Sequence, residues 1–444
     1  MTKNISILGA GESGTGSALL AKSKGFSVFV SDQGNISPKY KAVLTEHGID
    51  FEEGQHSEDR ILSSDLVIKS PGIPDKAPLI KKLIAKKISV ISEIEFASKY
   101  THAKLIAITG SNGKTTTTLF TYHLLKEMGL HVGLAGNVGK SFAWQVWEED
   151  HDYYVLELSS FQLDGTYTLK PFVSILLNIT PDHLDRYDYK FENYIDSKFR
   201  IAQNADESTF LIVHEDDPIV AKEMMTRLFD TNILGISLKN TNASAYSDGE
   251  YIYLNNGSGA KLPVGQLPLK GKHNLTNMMA GFIAASTLGL DTRQFVESAS
   301  TFKNAAHRLE FVRVYKEVTY INDSKATNVD SVYYALDAMP KNVIWIAGGV
   351  DKGNDYSAIE GLVKDRVKAL VCLGKDNSKL HEFFGAKVSK IVDASSMKDA
   401  INQSSTLATS GDVVLLSPAC ASFDLFNNYE DRGDQFKALV SELK

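Results

Sequence analysis

Short apolar segments, rich in β-branched residues, alternate with helical patterns along almost all of the 444 residues. These segments read ISIL, SVFV, DLVIKS, LIAIT, YYVLEL, FVSILLNIT, VTYIND, VIWIAGG, KALVCLG and DVVLLSP. Such alternation predicts an α/β fold in which parallel sheets carry helices on both faces. The pattern falls into three regions, and we expect domains at residues 1–101, 102–304 and 305–444.

A glycine-rich loop, AITGSNGKTTTT, lies between a predicted strand and a predicted helix. Only two residues separate Gly110 from Gly113, whereas the common phosphate-binding loop has four. The context nevertheless suits a phosphate site, because the first amides of a helix point at a bound anion. Lys114 could then reach the phosphates and the Thr115 hydroxyl could bind Mg²⁺. The alternative is an ordinary turn with a solvated lysine.

The first region has a second glycine motif, Gly9-x-Gly11-x-x-Gly14, after its first strand. Asp32 ends the next strand, where a dinucleotide-binding fold places its ribose-binding acid. The turn Ser70–Ile73 should lie beside the motif at the same sheet edge. The motif predicts a site for a diphosphate without specifying the nucleoside, so NAD and other nucleotides both fit. A turn that only packs a helix against its strand is the structural alternative.

Three side chains of the middle region are candidates for metal chemistry. Glu157 lies in an apolar strand, where a cation near the phosphate loop or a lysine partner would offset the cost of burial. His183 follows another buried strand among acids, although a structural or surface histidine would look the same. Lys198 interrupts an apolar helical stripe, so it either snorkels to water or is desolvated and loses its proton readily.

The third region places polar turns after apolar strands. The turns are NDSKATN at 322–328, GGVDKG at 348–353 and SPACASFD at 417–424. Open α/β sheets bind ligands at the carboxyl ends of their strands. Lysine and serine side chains in these turns suit a small carboxylate substrate, although each turn alone could be an ordinary loop.

Whole-chain properties narrow the class of protein. The net charge of −7 gives no support to nucleic-acid binding. The two cysteines, Cys372 and Cys420, form neither a metal-type pair nor a disulfide framework. The N-terminal residues lack a signal-type segment, and no apolar run approaches the roughly 18 residues of a membrane span. We therefore expect a cytoplasmic protein that does not contact membranes.

The motifs TGSNGKTTTT, ELSSFQL, NITPDHLDRY, SKFRI, GKHNLTN, AHRLE, NDSKATN, GGVDKG and LLSPACASFD occur in this order. In this respect the chain resembles the Mur ligases of bacterial cell-wall synthesis over essentially its whole length. The shortened phosphate loop is the normal form in that family. The resemblance implies a Rossmann-like UDP-binding domain, a central P-loop ATPase-type parallel sheet and a C-terminal Rossmann-like domain.

The motifs are most similar to those of the members that add D-glutamate to UDP-N-acetylmuramoyl-L-alanine. The resemblance implies an ATP-dependent ligase that works through an acyl phosphate and uses two Mg²⁺ ions. It also implies a monomer whose partners are small molecules.

The resemblance further implies roles for residues at matching positions. Those implied for ATP are Gly110, Asn112, Gly113, Lys114, Thr115, Thr116, Asn274, Asn277, Arg308 and Asp323. Those implied for the UDP-sugar substrate are Ser13, Gly14, Thr15, Asp32, Gln33, Gly72, Asn137, Ser159 and Gln162. Those implied for D-glutamate are Lys325, Thr327, Lys352, Ser422 and the backbone of Tyr429. The implied metal ligands are Thr115, Glu157, His183 and Lys198 as a CO₂-derived carbamate, and the implied catalytic residues are Lys114, His183 and Lys198.

Two residues depart from the family pattern, and several rival functions must be compared with the sequence. Phe423 stands where leucine is expected and Tyr429 where phenylalanine is expected, and both keep an apolar body. A relative adding diaminopimelate or lysine should carry a DNPR-like signature, which this sequence lacks. Folylpolyglutamate synthases lack a GAGESG-type first domain. A nicotinamide oxidoreductase would leave GSNGKTTTT unexplained, and a non-catalytic nucleotide-binding module would not need the acid, histidine and lysine positions.

Overall fold

The computed structural model describes residues 3–255, 257 and 259–444. Its first sheet has five parallel strands in the order β3-β2-β1-β4-β5. The strands are β1 Asn4–Leu8, β2 Ser27–Asp32, β3 Asp50–Glu53, β4 Leu66–Lys69 and β5 Ser89–Ile91. The helices are α1 Glu12–Ser23, α2 Pro38–Glu46, α3 Glu58–Ile61, α4 Pro78–Ala85 and α5 Glu93–Ser98. Helix α1 begins at Glu12, inside the GAGESG motif that follows β1, so its N-terminus lies at the carboxyl edge of the sheet.

The second sheet has nine strands in the order β14-β13-β12-β11-β10-β9-β6-β8-β7. The strands are β6 Lys104–Thr109, β7 Val132–Gly136, β8 Tyr153–Glu157, β9 Val173–Leu176, β10 Phe210–His214, β11 Asn232–Ser237, β12 Ala245–Ser247, β13 Tyr251–Leu254 and β14 Ala260–Pro263. The helices are α6 Lys114–Glu127, α7 Phe142–Glu148, α8 Ser160–Leu163, α9 Phe191–Phe199, α10 Pro218–Met224, α11 Lys272–Thr287 and α12 Phe295–Ser300. Strand β6, which leads into the phosphate loop, lies between β8 and β9.

The purely parallel central sheet expected from sequence is wrong at one edge, where β13 pairs antiparallel with both β12 and β14. The connection from β12 to β13 is a tight turn in which the Asp248 carboxylate accepts hydrogen bonds from the Glu250 and Tyr251 amides. A connection this short can join only antiparallel neighbours, since a parallel pair needs a crossover of a dozen or more residues.

The third sheet has six strands in the order β15-β16-β20-β17-β18-β19. The strands are β15 Glu310–Tyr315, β16 Val318–Asn322, β17 Val343–Gly348, β18 Val367–Leu373, β19 Ile391–Ala394 and β20 Val413–Ala419. The helices are α13 Val329–Asp337, α14 Glu360–Arg366, α15 Ser378–Phe384, α16 Met397–Leu407 and α17 Tyr429–Ser441. The edge strand β15 is antiparallel, again contrary to the parallel expectation. Its turn to β16 consists of Lys316 and Glu317, both at positive φ (48° and 60°), which is the backbone of a tight hairpin.

All ten apolar segments identified in the sequence are strands, so the predicted α/β class is confirmed. The chain packs as two compact units, one formed by the chain up to Pro268 with Asn274–Phe302 and the other by Leu269–His273 with Lys303–Lys444. The first unit contains the first two sheets, and the second contains the third sheet. Within the described part of the chain, the helices are all too short or too polar to cross a bilayer.

Candidate active site

The glycine-rich loop joins β6 to α6, as the sequence predicts, and Gly113 caps the helix with φ of 83°. The Lys114 ammonium folds back over the loop and donates to the carbonyl oxygens of Gly110 (2.7 Å) and Ser111 (2.8 Å). Asn178, just after β9, holds the loop in place, because its Oδ1 accepts a hydrogen bond from the Asn112 amide at 2.8 Å. The backbone is thus held in a turn at the N-terminus of α6, the end of a helix that favours a bound anion.

Helix α11 packs directly against this shortened loop. A Cβ on Gly113 would lie 2.6 Å from Oδ1 of Asn277, so a side chain at this position would clash. Asn277 in turn donates from Nδ2 to Oδ1 of Asn274 at 3.1 Å, and both asparagines are buried. Two of the predicted nucleotide residues therefore lie at the phosphate loop itself.

Glu157 ends β8 and is buried, with 1% of its surface exposed. Its Oε1 accepts a hydrogen bond from Nδ2 of Asn137 at 2.9 Å. Among the described residues, no hydrogen-bond partner reaches its buried Oε2. The lysine partner considered from sequence is therefore wrong, and a buried carboxylate oxygen without a partner is the arrangement that a cation would satisfy.

Lys198 lies on α9 with only 1% of its surface exposed, so the alternative of snorkelling to water is wrong. Its Nζ donates to the Gly110 carbonyl at 2.8 Å and lies 4.7 Å from the ring centre of Tyr194. The Tyr194 hydroxyl is 3.1 Å from Oγ of Ser111. The lysine is thus buried against the phosphate loop.

The electrostatics at Lys198 favour its neutral amine. Burial lowers the pKa of Lys198 well below its usual value, and the nearby Lys114 ammonium lowers it further. Asp182 and Asp164 oppose this shift without cancelling it. A lysine with a lowered pKa gives up its proton more readily than an ordinary surface lysine, and its neutral amine is a nucleophile.

Lys114, Tyr194 and Lys198 line one cleft of about 270 Å³. Its lining is formed by Pro71, Gly72, Lys114, Asn137, Ser159, Ser160, Phe161, Asp182, His183, Tyr194 and Lys198. His183 adopts the left-handed conformation (φ 52°), and its ring centre is 5.1 Å from that of Phe161. The predicted substrate residue Gln162 is buried. Its Oε1 accepts the Ser159 amide at 3.0 Å and so forms part of the N-terminal cap of helix α8.

A second cavity, of about 660 Å³, lies at the carboxyl edge of the first sheet. Gly9, Gly11, Asp32, Gln33 and Gly72 are among its lining residues. The Asp32 carboxylate accepts the backbone amides of Ala10 (2.7 Å) and Gly34 (2.8 Å), so it also holds the two turns that frame the cavity.

Gly14, Thr15 and Ser13, which are also predicted to bind the substrate, make packing contacts or hydrogen bonds with other residues of the chain. A Cβ on Gly14 would lie 1.9 Å from the Gly9 carbonyl oxygen, so Gly14 permits close packing of α1 on its strand. The Thr15 side chain is buried and donates to the Ala10 carbonyl at 3.4 Å. Ser13 hydrogen-bonds to Glu93, whose pKa is raised by burial.

The third sheet brings its predicted turns to the carboxyl ends of β16, β17 and β20. Asp323 is buried and accepts hydrogen bonds from the Ser417 hydroxyl (2.8 Å) and the Leu309 amide (3.1 Å). Burial raises the pKa of Asp323 to about 7. Arg308 contributes a smaller opposing effect on that pKa, which places the two predicted nucleotide residues near one another.

The residues predicted for D-glutamate lie on the same edge. The Lys325 ammonium is 5.2 Å from the ring centre of Tyr429, and the Tyr429 carbonyl accepts the Ser324 hydroxyl at 2.8 Å. Ser422 is buried, whereas Thr327 is half-buried and Lys352 is exposed on the GGVDKG turn.

Arg432, on α17, is a residue that the sequence reasoning missed. It is 1% exposed, donates to the Ser324 carbonyl (2.9 Å) and to the Cys420 carbonyl (3.2 Å), and thereby joins the NDSKATN and SPACASFD turns. Burial lowers the pKa of Arg432 to about 10. A usable signal was present, because Arg432 shares a helical face with the buried Phe436 and Val440, as Lys198 does with its apolar neighbours.

One further group of possible metal ligands lies on the third sheet. It consists of Cys372, His381 and Asp393, whose ligand atoms lie within 4.8 Å of one another. His381 and Asp393 are exposed and pair directly at 3.0 Å, over a buried thiol whose pKa burial raises to about 12. This group is therefore an ion pair above a core cysteine.

Comparisons with known proteins agree with this architecture. Three family models match in order, namely the MurD N-terminal domain at residues 4–78, the Mur ligase middle domain at 108–285 and the Mur ligase, glutamate ligase domain at 307–420. The chain is 54% identical to UDP-N-acetylmuramoylalanine--D-glutamate ligase of Cytophaga hutchinsonii, with 100% of both chains covered. It is 52% identical to the protein of the same name from Porphyromonas gingivalis, with 99% of both covered.

Solved structures show the same fold at low identity. UDP-N-acetylmuramate-alanine ligase MurC from Thermotoga maritima aligns with a TM-score of 0.62 at 19% identity and covers 100% of both chains. MurF ligase from Thermotoga maritima, in complex with ADP, aligns with a TM-score of 0.60 at 18% identity and covers 86% of this chain and 91% of its own.

With its three sheets, its short phosphate loop and these full-length matches, the chain belongs to the Mur ligase family. The resemblance inferred from the motifs is thereby confirmed. Within the family, its full-length relatives of 51 to 54% identity carry the name UDP-N-acetylmuramoylalanine--D-glutamate ligase, and its N-terminal region matches the MurD model.

Proposed function

We propose that this chain is an ATP-dependent ligase that adds D-glutamate to UDP-N-acetylmuramoyl-L-alanine during synthesis of the peptidoglycan precursor. It would act in the cytoplasm, as a monomer, on small-molecule substrates. The observation that carries the proposal is the cleft lined by Lys114 of the phosphate loop, the buried Lys198 and Asn137, whose amide holds the buried Glu157 carboxylate. The names of the full-length relatives supply the two substrates.

The chemistry requires activation of an unreactive carboxylate. The γ-phosphoryl group of ATP passes to an oxygen of the L-alanyl carboxylate, which gives an acyl phosphate and ADP. The D-glutamate nitrogen then bonds to the carbonyl carbon and forms a tetrahedral intermediate. Phosphate leaves with the carbon–oxygen electron pair and the nitrogen gives up its proton, so an amide remains. Negative charge builds up throughout, and fixed cations therefore contribute most of the catalysis.

The phosphate loop would bind the nucleotide phosphates through Gly110, Asn112, Gly113 and the first-turn threonines Thr115 and Thr116. Lys114, which now donates to two loop carbonyls, would turn its ammonium to the transferring phosphoryl group. Asn274 and Asn277 would contact the nucleotide from α11. On the third sheet, Arg308 and Asp323 would also serve ATP.

The residues present fit Mg²⁺, because the unpartnered Oε2 of Glu157 is a buried oxygen ligand close to the loop. The Thr115 hydroxyl would be a further ligand, and His183 and a modified Lys198 would hold a second ion. Mg²⁺ supplies neutralisation of the phosphate oxygens when it is bound. Lys198 would gain oxygen atoms by carbamate formation, in which its neutral amine bonds to CO₂ and releases one proton.

The substrates would be held at the two sheet edges already described. Ser13, Gly14, Thr15, Asp32, Gln33 and Gly72 would surround the UDP portion, and Asn137, Ser159 and Gln162 the muramoyl portion. Lys325 and Lys352 would pair with the two carboxylates of D-glutamate. Thr327, Ser422 and the Tyr429 backbone would complete that set.

The direct test measures phosphate release from ATP in the presence of UDP-N-acetylmuramoyl-L-alanine and one amino acid at a time. We expect release with D-glutamate, and little with L-glutamate, L-alanine, lysine or meso-diaminopimelate. A site that binds both carboxylates of a D-amino acid should reject the L-enantiomer and amino acids with a different side chain. Equal release with lysine or diaminopimelate would point to a Mur ligase with a different amino acid. Omission of the UDP-sugar is the control for plain ATP hydrolysis.

A second prediction separates UDP from NAD at the first sheet. We expect calorimetry to detect binding of UDP and UDP-N-acetylmuramoyl-L-alanine but not of NAD. Asp32→Ala should weaken both uridine ligands, since Asp32 lines the cavity and anchors the Ala10 and Gly34 amides. Loss of one charge-assisted contact predicts roughly a tenfold or larger effect. Asp65→Ala is a matched control, because the Asp65 carboxylate accepts the Asn4 amide at the start of β1, the end of the strand away from the cavity. Saturable NAD binding without a response to either uridine ligand would contradict the assignment.

A further inference from the structure

The two cavities of the first unit share one turn. Pro71 and Gly72 line the phosphate cleft, and Gly72 with Ile73 also lines the larger cavity of the first sheet. The Pro71–Gly72 turn is therefore the ridge between the site proposed for UDP and the site proposed for phosphoryl transfer. A substrate that occupies both must pass over this ridge.

Arg186, which follows β9 of the second sheet, hydrogen-bonds to the Pro71–Gly72 ridge. Its Nη2 donates to the Pro71 carbonyl at 3.3 Å and its Nη1 to the Gly72 carbonyl at 3.4 Å. The guanidinium lies 4.3 Å from the ring centre of Phe161, which also contacts the His183 ring. One side chain thus joins the ridge to two walls of the phosphate cleft.

A second link between the same two segments lies farther out. The Lys76 ammonium donates to the Asp185 carbonyl at 3.2 Å and is exposed. It ties the segments together without contacting either Pro71 or Gly72. Removal of the Lys76 side chain would therefore break one link between the two segments and leave the Arg186 bonds to Pro71 and Gly72 in place.

We propose that Arg186 is a positioning residue that fixes the Pro71–Gly72 ridge and so sets the path of the substrate between the two cavities. The inference rests on the proposed function, since it concerns a substrate with a nucleotide at one end and a reactive carboxylate at the other. Arginine suits this role because its planar fork reaches two carbonyls at once and stacks on an aromatic ring. Lysine could make only one of these contacts well.

The test compares a ligand that fills one cavity with a ligand that spans both. Calorimetry would measure UDP and UDP-N-acetylmuramoyl-L-alanine binding to the wild type, Arg186→Ala, Arg186→Lys and Lys76→Ala. We expect Arg186→Ala to bind UDP within about twofold of the wild type and the full substrate about tenfold more weakly, because misplacement of a substrate by ~1 Å carries costs of this order or more. Its KM for the full substrate should rise while its KM for ATP stays unchanged. Arg186→Lys should fall between the two, and Lys76→Ala should match the wild type.

Three results would overturn the inference. They are equal weakening of both uridine ligands, no weakening of either, and a Lys76→Ala defect as large as that of Arg186→Ala. Circular dichroism and thermal melting establish that each variant is folded, and Arg186→Lys carries the comparison if the alanine variant does not fold. A wild type that binds neither uridine ligand would instead refute the proposed function, so the two failures are distinguishable.

Discussion

The Lys114→Ala variant should fold normally and lose ~10²–10³ in turnover, the usual cost of removing one contact to developing negative charge. The fold should survive because the loop has independent supports, including the Asn178 bonds to Ser111 and Asn112. Lys114 donates to two loop carbonyls, and the Asn178 bonds to the loop do not depend on it. The loss should therefore appear in phosphate release and not in the melting temperature.

Lys126→Ala is the matched control for this experiment. Lys126 lies in the last turn of the same helix, is exposed, and is far along the chain from the loop. Its removal should leave turnover within about twofold, as expected for a surface substitution. Near-normal turnover by a folded Lys114→Ala enzyme would mean that phosphoryl transfer does not occur at this loop.

Turnover should also depend on CO₂, because the proposed second metal site needs the carbamate of Lys198. Stripping CO₂ and bicarbonate should lower the rate, and restoring bicarbonate should recover it. The neutral amine is the form that reacts with CO₂, and burial beside Lys114 lowers the pKa of Lys198 and so favours that form. Acidification through the lowered pKa of Lys198 protonates its amine. The amount of carbamate and the activity should therefore fall together as the pH is lowered. Carbon-13 spectroscopy with labelled bicarbonate measures the carbamate directly.

Substitution of the same lysine gives a second measure. Lys198→Arg should lose at least ~10² in turnover, because it keeps the positive charge but cannot form a carbamate. Lys190→Arg, at the exposed start of the same helix, is the control and should retain activity. Since arginine is larger than the buried lysine that it replaces, melting curves must accompany the rates. A fully active enzyme without CO₂, or a labelled sample without a carbamate signal, would contradict the proposal.

Much of the architecture was accessible from sequence because parallel strands buried on both faces read as continuous apolar runs. The strand-loop-helix setting of Gly110–Thr115 likewise required no tertiary information. The antiparallel edge of the second sheet was missed because β12, β13 and β14 have only three or four residues each, too few to show a period. Short edge hairpins are therefore the part of this fold that local patterns describe least well.

Burial depth was the main property of the site that sequence could not supply. The stripe around Lys198 fitted both a snorkelling and a desolvated lysine, and only the packing of α9 against the loop distinguishes them. Glu157 was recognised as a costly carboxylate, but its partner proved to be Asn137, twenty residues away. Arg432 carried the same helical signal as Lys198 and was overlooked because no chemistry was expected of it.

The contact between Gly113 and Asn277 bears on how such a site could escape an inhibitor. A positive φ and a neighbouring atom 2.6 Å from any added Cβ both restrict Gly113 to glycine. An inhibitor that binds the main-chain amides at this turn would contact atoms that substitution cannot remove. Resistance would have to arise from residues around the turn, so compounds anchored on this backbone should leave the bacterium fewer mutational routes than compounds anchored on exposed side chains such as Lys352.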